Sequence, residues 1–127
     1  MGRVTKGRDP EEVMFRDAAA FDEWLAMNND RHEGIWIKIA KKGSGVASIT
    51  SDDAVDVGLS WGWISSHRKA LDGTCYLQKY TPRRPNSRWS KVNVAKVAAL
   101  TSAGRMRPPG QAEVDAAIAD GRWAAAD

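Results

Sequence analysis

A single cysteine in 127 residues, Cys75, has no partner for an internal disulfide, so nothing here demands an oxidising compartment. No apolar run approaches the roughly 18–20 residues of a helical membrane span. The opening MGRVTKGRDPEEVMF lacks the apolar core of a secretory signal peptide. Lys6, where a myristoylation signal has Ser or Thr, makes Gly2 a poor acceptor. The expected location is therefore the cytoplasm. Histidine is scarce, with only His32 and His67. The acids Asp52, Asp53 and Asp56 have no His or Glu at ligand spacing, and a helix N-terminus already accounts for them. No metal and no cofactor is expected. The glycines of Lys41-Lys42-Gly43-Ser44-Gly45 have the wrong spacing for a P-loop, leaving at most loose phosphate contact through its lysines and backbone N–H groups.

Acid is also scarce in the middle of the chain. Residues 34–107 carry thirteen bases against four acids, whereas residues 1–33 carry five against eight and residues 108–127 one against four. The formal net charge of +3 hides this polarity, which points to an anion-binding face. The stretch Gly58–Asn93 concentrates it. Three of the six tryptophans (Trp61, Trp63, Trp89) stand there among seven bases and one acid, Asp72.

The length suits one domain. Residues 1–16 are polar and broken by Asp9-Pro10, which predicts a loose arm with a short strand around residues 13–15, ahead of a single domain over 17–127. Asp17 can cap a helix with Phe21, Trp24 and Leu25 on one face. Its end places His32 at the surface. Gly34 opens a strand whose Ile35, Ile37 and Ile39 share one face and Trp36 and Lys38 the other. Ser51 can cap a second helix, whose small residues Gly58 and Gly62 permit close packing on a sheet. Ser87 or Ser90 can cap a third, with Val92, Ala95, Ala99, Leu100 and Ala103 inward and Gly104 at its end. A last helix over residues 111–120 turns Val114, Ala117 and Ile118 inward, and Trp123 tucks against the core. The expected fold is α/β (α+β): a small, mostly antiparallel sheet of three or four strands in one layer against about four helices.

Two strand-like runs, 63–71 and 74–82, flank Asp72-Gly73. Asp-Gly favours a two-residue type I′ turn. That register sets Trp63 opposite Pro82, Ser65 opposite Tyr80, His67 opposite Gln78 and Lys69 opposite Tyr76. Trp63, Ser65, His67 and Tyr80 then share an aromatic, polar face. The aliphatic face, with Ile64, Cys75 and Leu77, is expected to back onto the helices, burying the Cys75 thiol.

The run Lys41-Lys42-Gly43-Ser44-Gly45, then Gly62-Trp63-Ile64, then Thr81-Pro82-Arg83-Arg84-Pro85-x-Ser87-x-Trp89-Ser90-x-x-Asn93, then Gly104-Arg105-Met106 and Asp120-Gly121-Arg122-Trp123, resembles the YdeI/OmpD-associated family, also labelled bacteriocin-protection. The likeness runs from about Phe21 to Trp123. It implies a role in resistance to antimicrobial peptides, association with an outer-membrane porin and a periplasmic setting; the last does not match the missing export signal. The family tends to carry Asp after Gly-Trp-Ile, where this chain has Ser65.

The expected ligand-binding set is Trp63, Ser65, His67, Tyr80, Arg83, Arg84, Ser87, Trp89 and Ser90, with Lys41 and Lys42. Arg83 and Arg84, braced by prolines, present planar forks for phosphate or carboxylate. Ser87 and Ser90 add an anion seat at a helix start, and Trp63, Tyr80 and Trp89 could stack a flat ring. A plainer reading pairs both arginines with Asp52, Asp53 or the acidic last helix and puts the tryptophans in the core. Asn93 is expected to tie down the Arg-Pro loop. Three functions are in view: a binding domain for an anionic or aromatic ligand, nucleic acid included; a small enzyme acting on a phosphorylated or aromatic metabolite with His67 as acid or base; and a protein-interaction module using the Trp/Arg face. A Ser65–His67 catalytic pair lacks a third orienting group.

Overall fold

Isoleucines at alternate positions decide which side of the sheet the helices cover. The computed structural model describes residues 11–31 and 33–127, and His32 and the first ten residues of the expected arm lie outside them. The chain runs β1 (Glu12–Val13), α1 (Ala18–Asn28), β2 (Ile35–Ala40), α2 (Ser51–Ser60), β3 (Trp63–Ala70), β4 (Cys75–Pro82), α3 (Lys91–Ser102) and α4 (Pro108–Ala119). This is an α+β fold with a four-stranded sheet in the order β1-β2-β4-β3. The sheet is mixed, because β1 pairs parallel to β2 while the other pairs are antiparallel. β1 and the buried Phe15 make the end of the expected arm part of the domain.

Asp17 caps α1 as its side chain accepts from the Ala20 N–H at 2.9 Å. The helix buries Phe21 and Leu25 completely, and Trp24 meets Trp63 edge-on at 5.8 Å. Ile35, Ile37 and Ile39 face these residues with Ala54 and Val57 of α2. Thr50, not Ser51, caps α2: its hydroxyl accepts from the Asp53 N–H at 3.1 Å. Gly58 lets α2 lie against the sheet, since a Cβ there would stand 3.2 Å from the Tyr80 ring. A second core joins Leu59 to Trp89, Val97, Leu100, Val114 and Ala117.

The inward faces of the last two helices differ in part from expectation. On α3, Val97 and Leu100 are buried while Val92 is exposed. The alanines of the expected stripe carry too little surface to orient the helix, and the larger Val97 and Leu100 decide. On α4, Val114 and Ala117 are buried but Ile118 is exposed. Trp123 does tuck inward, meeting Trp89 at 4.9 Å.

The hairpin departs most from expectation. Near the bend the paired residues are Ala70 with Tyr76, Lys69 with Leu77 and Arg68 with Gln78; beyond a register shift they are Ser65 with Tyr80, Ile64 with Thr81 and Trp63 with Pro82. Only the second set follows the two-residue turn. The bend is longer because the Asp72 carboxylate accepts from the N–H groups of Thr74 and Cys75 at 2.8 and 2.9 Å and from the Thr74 hydroxyl. This Asx-type bend needs no left-handed residue, and neither Asp72 nor Gly73 has positive φ. The extra residue is taken up as a bulge at Ser66 and His67.

The side facing the helices is also reversed. Tyr80, Gln78 and Tyr76 pair with Ile35, Ile37 and Ile39, so the Trp63–Tyr80 face turns inward. Leu77 and Cys75 lie on the outer face, both buried, the thiol with them. The isoleucine run outweighs the aliphatic residues of the hairpin because it presents the larger continuous apolar area.

Candidate functional site

The expected site residues divide between the two sides of the sheet. Trp63, Ser65, Tyr80, Arg83 and Ser90 line an inner cavity of about 270 Å³, with Val55 and Leu59 of α2 and with Arg88 and Asn93. His67, Arg84 and Ser87 line an outer pocket of about 610 Å³, with Ser66, Lys79, Thr81 and two prolines. Lys41 and Lys42 belong to neither; they line a cleft beside the start of α2, where the Lys41 ammonium donates to the Asp72 carbonyl at 2.8 Å.

Trp63 and Tyr80 are each 1% exposed and Trp89 5%. The expectation of open rings for stacking is thereby corrected: these rings form core, as the plainer reading held. The Trp63 indole N–H is spent on the Asn29 carbonyl at 3.0 Å. The Ser65–His67 pair is not formed either. Ser65 points into the inner cavity, whereas the bulge sends His67 to the outer pocket, where its Nδ1 lies 3.1 Å from the Ser66 hydroxyl.

Arg83 is the unusual residue. Its chain position is fixed by Gly62, whose φ of +81° closes the turn into β3 and whose carbonyl accepts from the Arg83 N–H at 2.9 Å. Arg83 is 7% exposed as a residue, and its guanidinium lies 3.6 Å over the Trp89 ring. One end is held: Nη1 donates to the Ser87 hydroxyl at 2.8 Å and to the Arg88 carbonyl at 3.3 Å. The buried Nε–H has no hydrogen-bond partner among the described residues. Among the described residues no carboxylate lies within ion-pair distance of it, although the plainer reading paired it with acid. Burial, with Arg122 adding repulsion and Glu113 opposing, lowers its pKa to about 10.

The groups around it are polar and under-used. The Tyr80 hydroxyl is buried without a hydrogen bond of good geometry. Its pKa is raised, chiefly by burial, with Ser65 near enough across the strand pair to oppose the shift slightly. Ser90 caps α3 by accepting from the Asn93 N–H at 3.1 Å, which brings the positive end of that helix to the cavity wall. Asn93 was expected only to brace the loop; it lines the cavity. The bracing falls to Arg122, which donates to the Ser87 carbonyl at 2.8 Å and is itself held by Asp120. Arg122 was visible in the Asp-Gly-Arg-Trp motif, but nothing local signalled its partner 35 residues away. Among the described residues no cluster of His, Cys, Asp or Glu could hold a metal ion, and no helix is long and apolar enough to cross a membrane.

A family model described as a domain of unknown function, DUF8412, matches residues 13–113. The chain belongs to the DUF8412 family. The matched span runs from β1 into α4 and includes every residue lining the inner cavity. No curated protein and no solved structure matches the chain.

Proposed function

We propose that this DUF8412 domain is a binding domain for a small oxyanion, a carboxylate or a phosphate, held in the inner cavity by Arg83. One observation carries the reading: Arg83 is 7% exposed, its guanidinium is oriented by a ring and two hydrogen bonds at Nη1, and among the described residues its Nε–H is buried without a partner and Nη2 makes no hydrogen bond. An unpaired buried charge costs several kcal/mol, so a protein retains one where a ligand supplies the counter-charge. That free edge suits two parallel bonds to one oxyanion. The α3 N-terminus, the Tyr80 and Ser65 hydroxyls and the Asn93 amide supply further dipoles and donors. A cavity of about 270 Å³ suits a ligand of metabolite size rather than a polymer. The resemblance to the YdeI/OmpD-associated, bacteriocin-protection family suggests a protective role for such binding, in the cytoplasm if no export signal acts.

Thermal unfolding in phosphate, acetate and succinate, against chloride at matched ionic strength, tests the reading. The expected result is a Tm that rises with at least one oxyanion in the wild type, by linkage to the folded state, and does not rise in Arg83→Met. A flat response to all three, or an equal rise in both proteins, would overturn it.

A further inference from the structure

We propose that the outer pocket is a second and separate binding site, for an organic phosphate: the phosphate sits on Lys79 and Arg84, and an apolar or flat body lies on Ile64, Pro82 and Pro85. The backbone gives the first reason. In a regular strand Ser66 and His67 would point to opposite faces. The bulge sets both into the lining of this one pocket. Bulges that re-aim side chains recur beside binding and active sites. His67 Nδ1 lies against the Ser66 hydroxyl at 3.1 Å, which orients the ring and leaves Nε2 free to contact a ligand.

Charge gives the second reason. The lining holds Lys79, Arg84 and His67 and no acid. Among the described residues neither Lys79 nor Arg84 has an ion-pair partner. Lys79 lies 5.8 Å from the Trp36 ring, with Lys69 at 4.5 Å, so the positive field extends along the outer face. The hydroxyls of Ser66, Thr81 and Ser87 can add hydrogen bonds to phosphate oxygens.

Shape gives the third. At about 610 Å³ the pocket is more than twice the inner cavity and falls in the range of small-molecule sites. Bare phosphate would leave the Ile64–Pro82–Pro85 surface uncovered, whereas a phosphate attached to a ring would cover it. The cations of this pocket are Lys79 and Arg84 rather than Arg83, and its lining shares only Ile64 with the inner cavity, so the two sites can be tested separately although the Arg83–Ser87 hydrogen bond links their walls.

Isothermal titration of the full chain with phenyl phosphate, inorganic phosphate and phenol tests this. Phenyl phosphate should bind more tightly than either fragment. Arg84→Gln and Lys79→Gln should each weaken it by roughly tenfold or more, the loss of one charge-assisted contact, while Arg83→Lys, which reaches this pocket only through Ser87, should weaken it far less. Among the described residues neither outer position makes a side-chain hydrogen bond or ion pair, so these variants should fold as the wild type does. The proposal is overturned if phenyl phosphate binds no better than inorganic phosphate, or if its binding survives Arg84→Gln or follows Arg83 instead. A single-stranded oligonucleotide that binds through Arg84 where phenyl phosphate does not would replace it with a nucleic-acid surface.

Discussion

Arg83 and Arg84 are adjacent in the chain and end in opposite physical settings. Arg83 turns toward the helices, where its guanidinium is buried on Trp89 and clamped at one end by the Arg-Pro loop. Arg84 turns to the outer face and stays exposed at the rim of a broad pocket. Each has the same charge and, among the described residues, lacks a carboxylate partner. What differs is water. The exposed cation is solvated at little cost, so its unpaired state counts only together with the acid-free lining and the shape of the pocket beside it. The buried one is not, so its unpaired state calls for an explanation. Equal residues in one motif therefore carry unequal weight as evidence of a site.

The largest effect on the inner side should come from its wall rather than its charge. Trp63→Ala removes a side chain that is 1% exposed and holds both Trp24 and the Asn29 carbonyl. It should destabilise the fold by about 3–5 kcal/mol in urea unfolding. A loss under 1 kcal/mol would mean that the ring is not core and that the two sides differ less than described. Next in size is the paired substitution at the arginines. Arg83→Met should abolish the oxyanion-dependent rise in Tm. In chloride alone it should cost little or even stabilise, because an apolar group replaces an unpaired buried charge. A large loss of stability in chloride would show that the clamp to Ser87 and Arg88 outweighs desolvation.

Much of this was legible in the sequence, and the failures have a common form. The α1 cap, the isoleucine strand and the inward Trp123 follow from local pattern and came out as expected. The two faces of the hairpin did not, because each carries apolar residues and local alternation cannot say which side the helices cover. That choice depends on the register with β2, a pairing between residues 35 to 45 positions apart, from Ala40 with Cys75 to Ile35 with Tyr80. The Asp-Gly turn misled for another reason. Asp72 has two ways to bend the chain, and its side chain accepts the N–H groups ahead of it instead of adopting positive φ. One extra residue in that bend produced the bulge and sent His67 away from Ser65. The candidate set was thus a sound list of residues but not one site.

Gly58 offers a moderate test of how tightly the inner side is built. A methyl at Gly58 would press on the Tyr80 ring at 3.2 Å. Gly58→Ala should lose about 1–3 kcal/mol to overpacking, less whatever the helix gains from alanine. Unchanged stability would show room for Tyr80 to shift, and with it a more adaptable cavity.

The alkaline limb separates the two buried polar groups. Burial lowers Arg83 to about 10 from 12.5, so between those values the unfolded chain holds more protons than the folded one. The cost of that charge is complete below about pH 10 and fades as pH rises. Tyr80 acts in the other sense. Its folded pKa is raised by burial, so its contribution is intact below the usual tyrosine value near 10 and is lost as pH climbs above it. Tyr80→Phe should therefore lose less stability than the wild type on going from about pH 8 to about pH 11. An identical loss in the two proteins would place the Tyr80 hydroxyl in water.

The smallest effect should be at the other arginine. Arg84→Gln removes an exposed cation that makes no hydrogen bond or ion pair among the described residues, so unfolding in chloride should shift by no more than about 0.5 kcal/mol. The oxyanion response of the inner cavity should also persist, since Arg83, Ser90 and the α3 N-terminus are untouched. If Arg84→Gln instead lowers that response as far as Arg83→Met does, the anion effect is a property of the whole basic loop acting through long-range field. High salt would then suppress it by screening. If the response survives both the substitution and the salt, short-range contact with the buried guanidinium is what holds the anion, and the division of the motif between two sites stands.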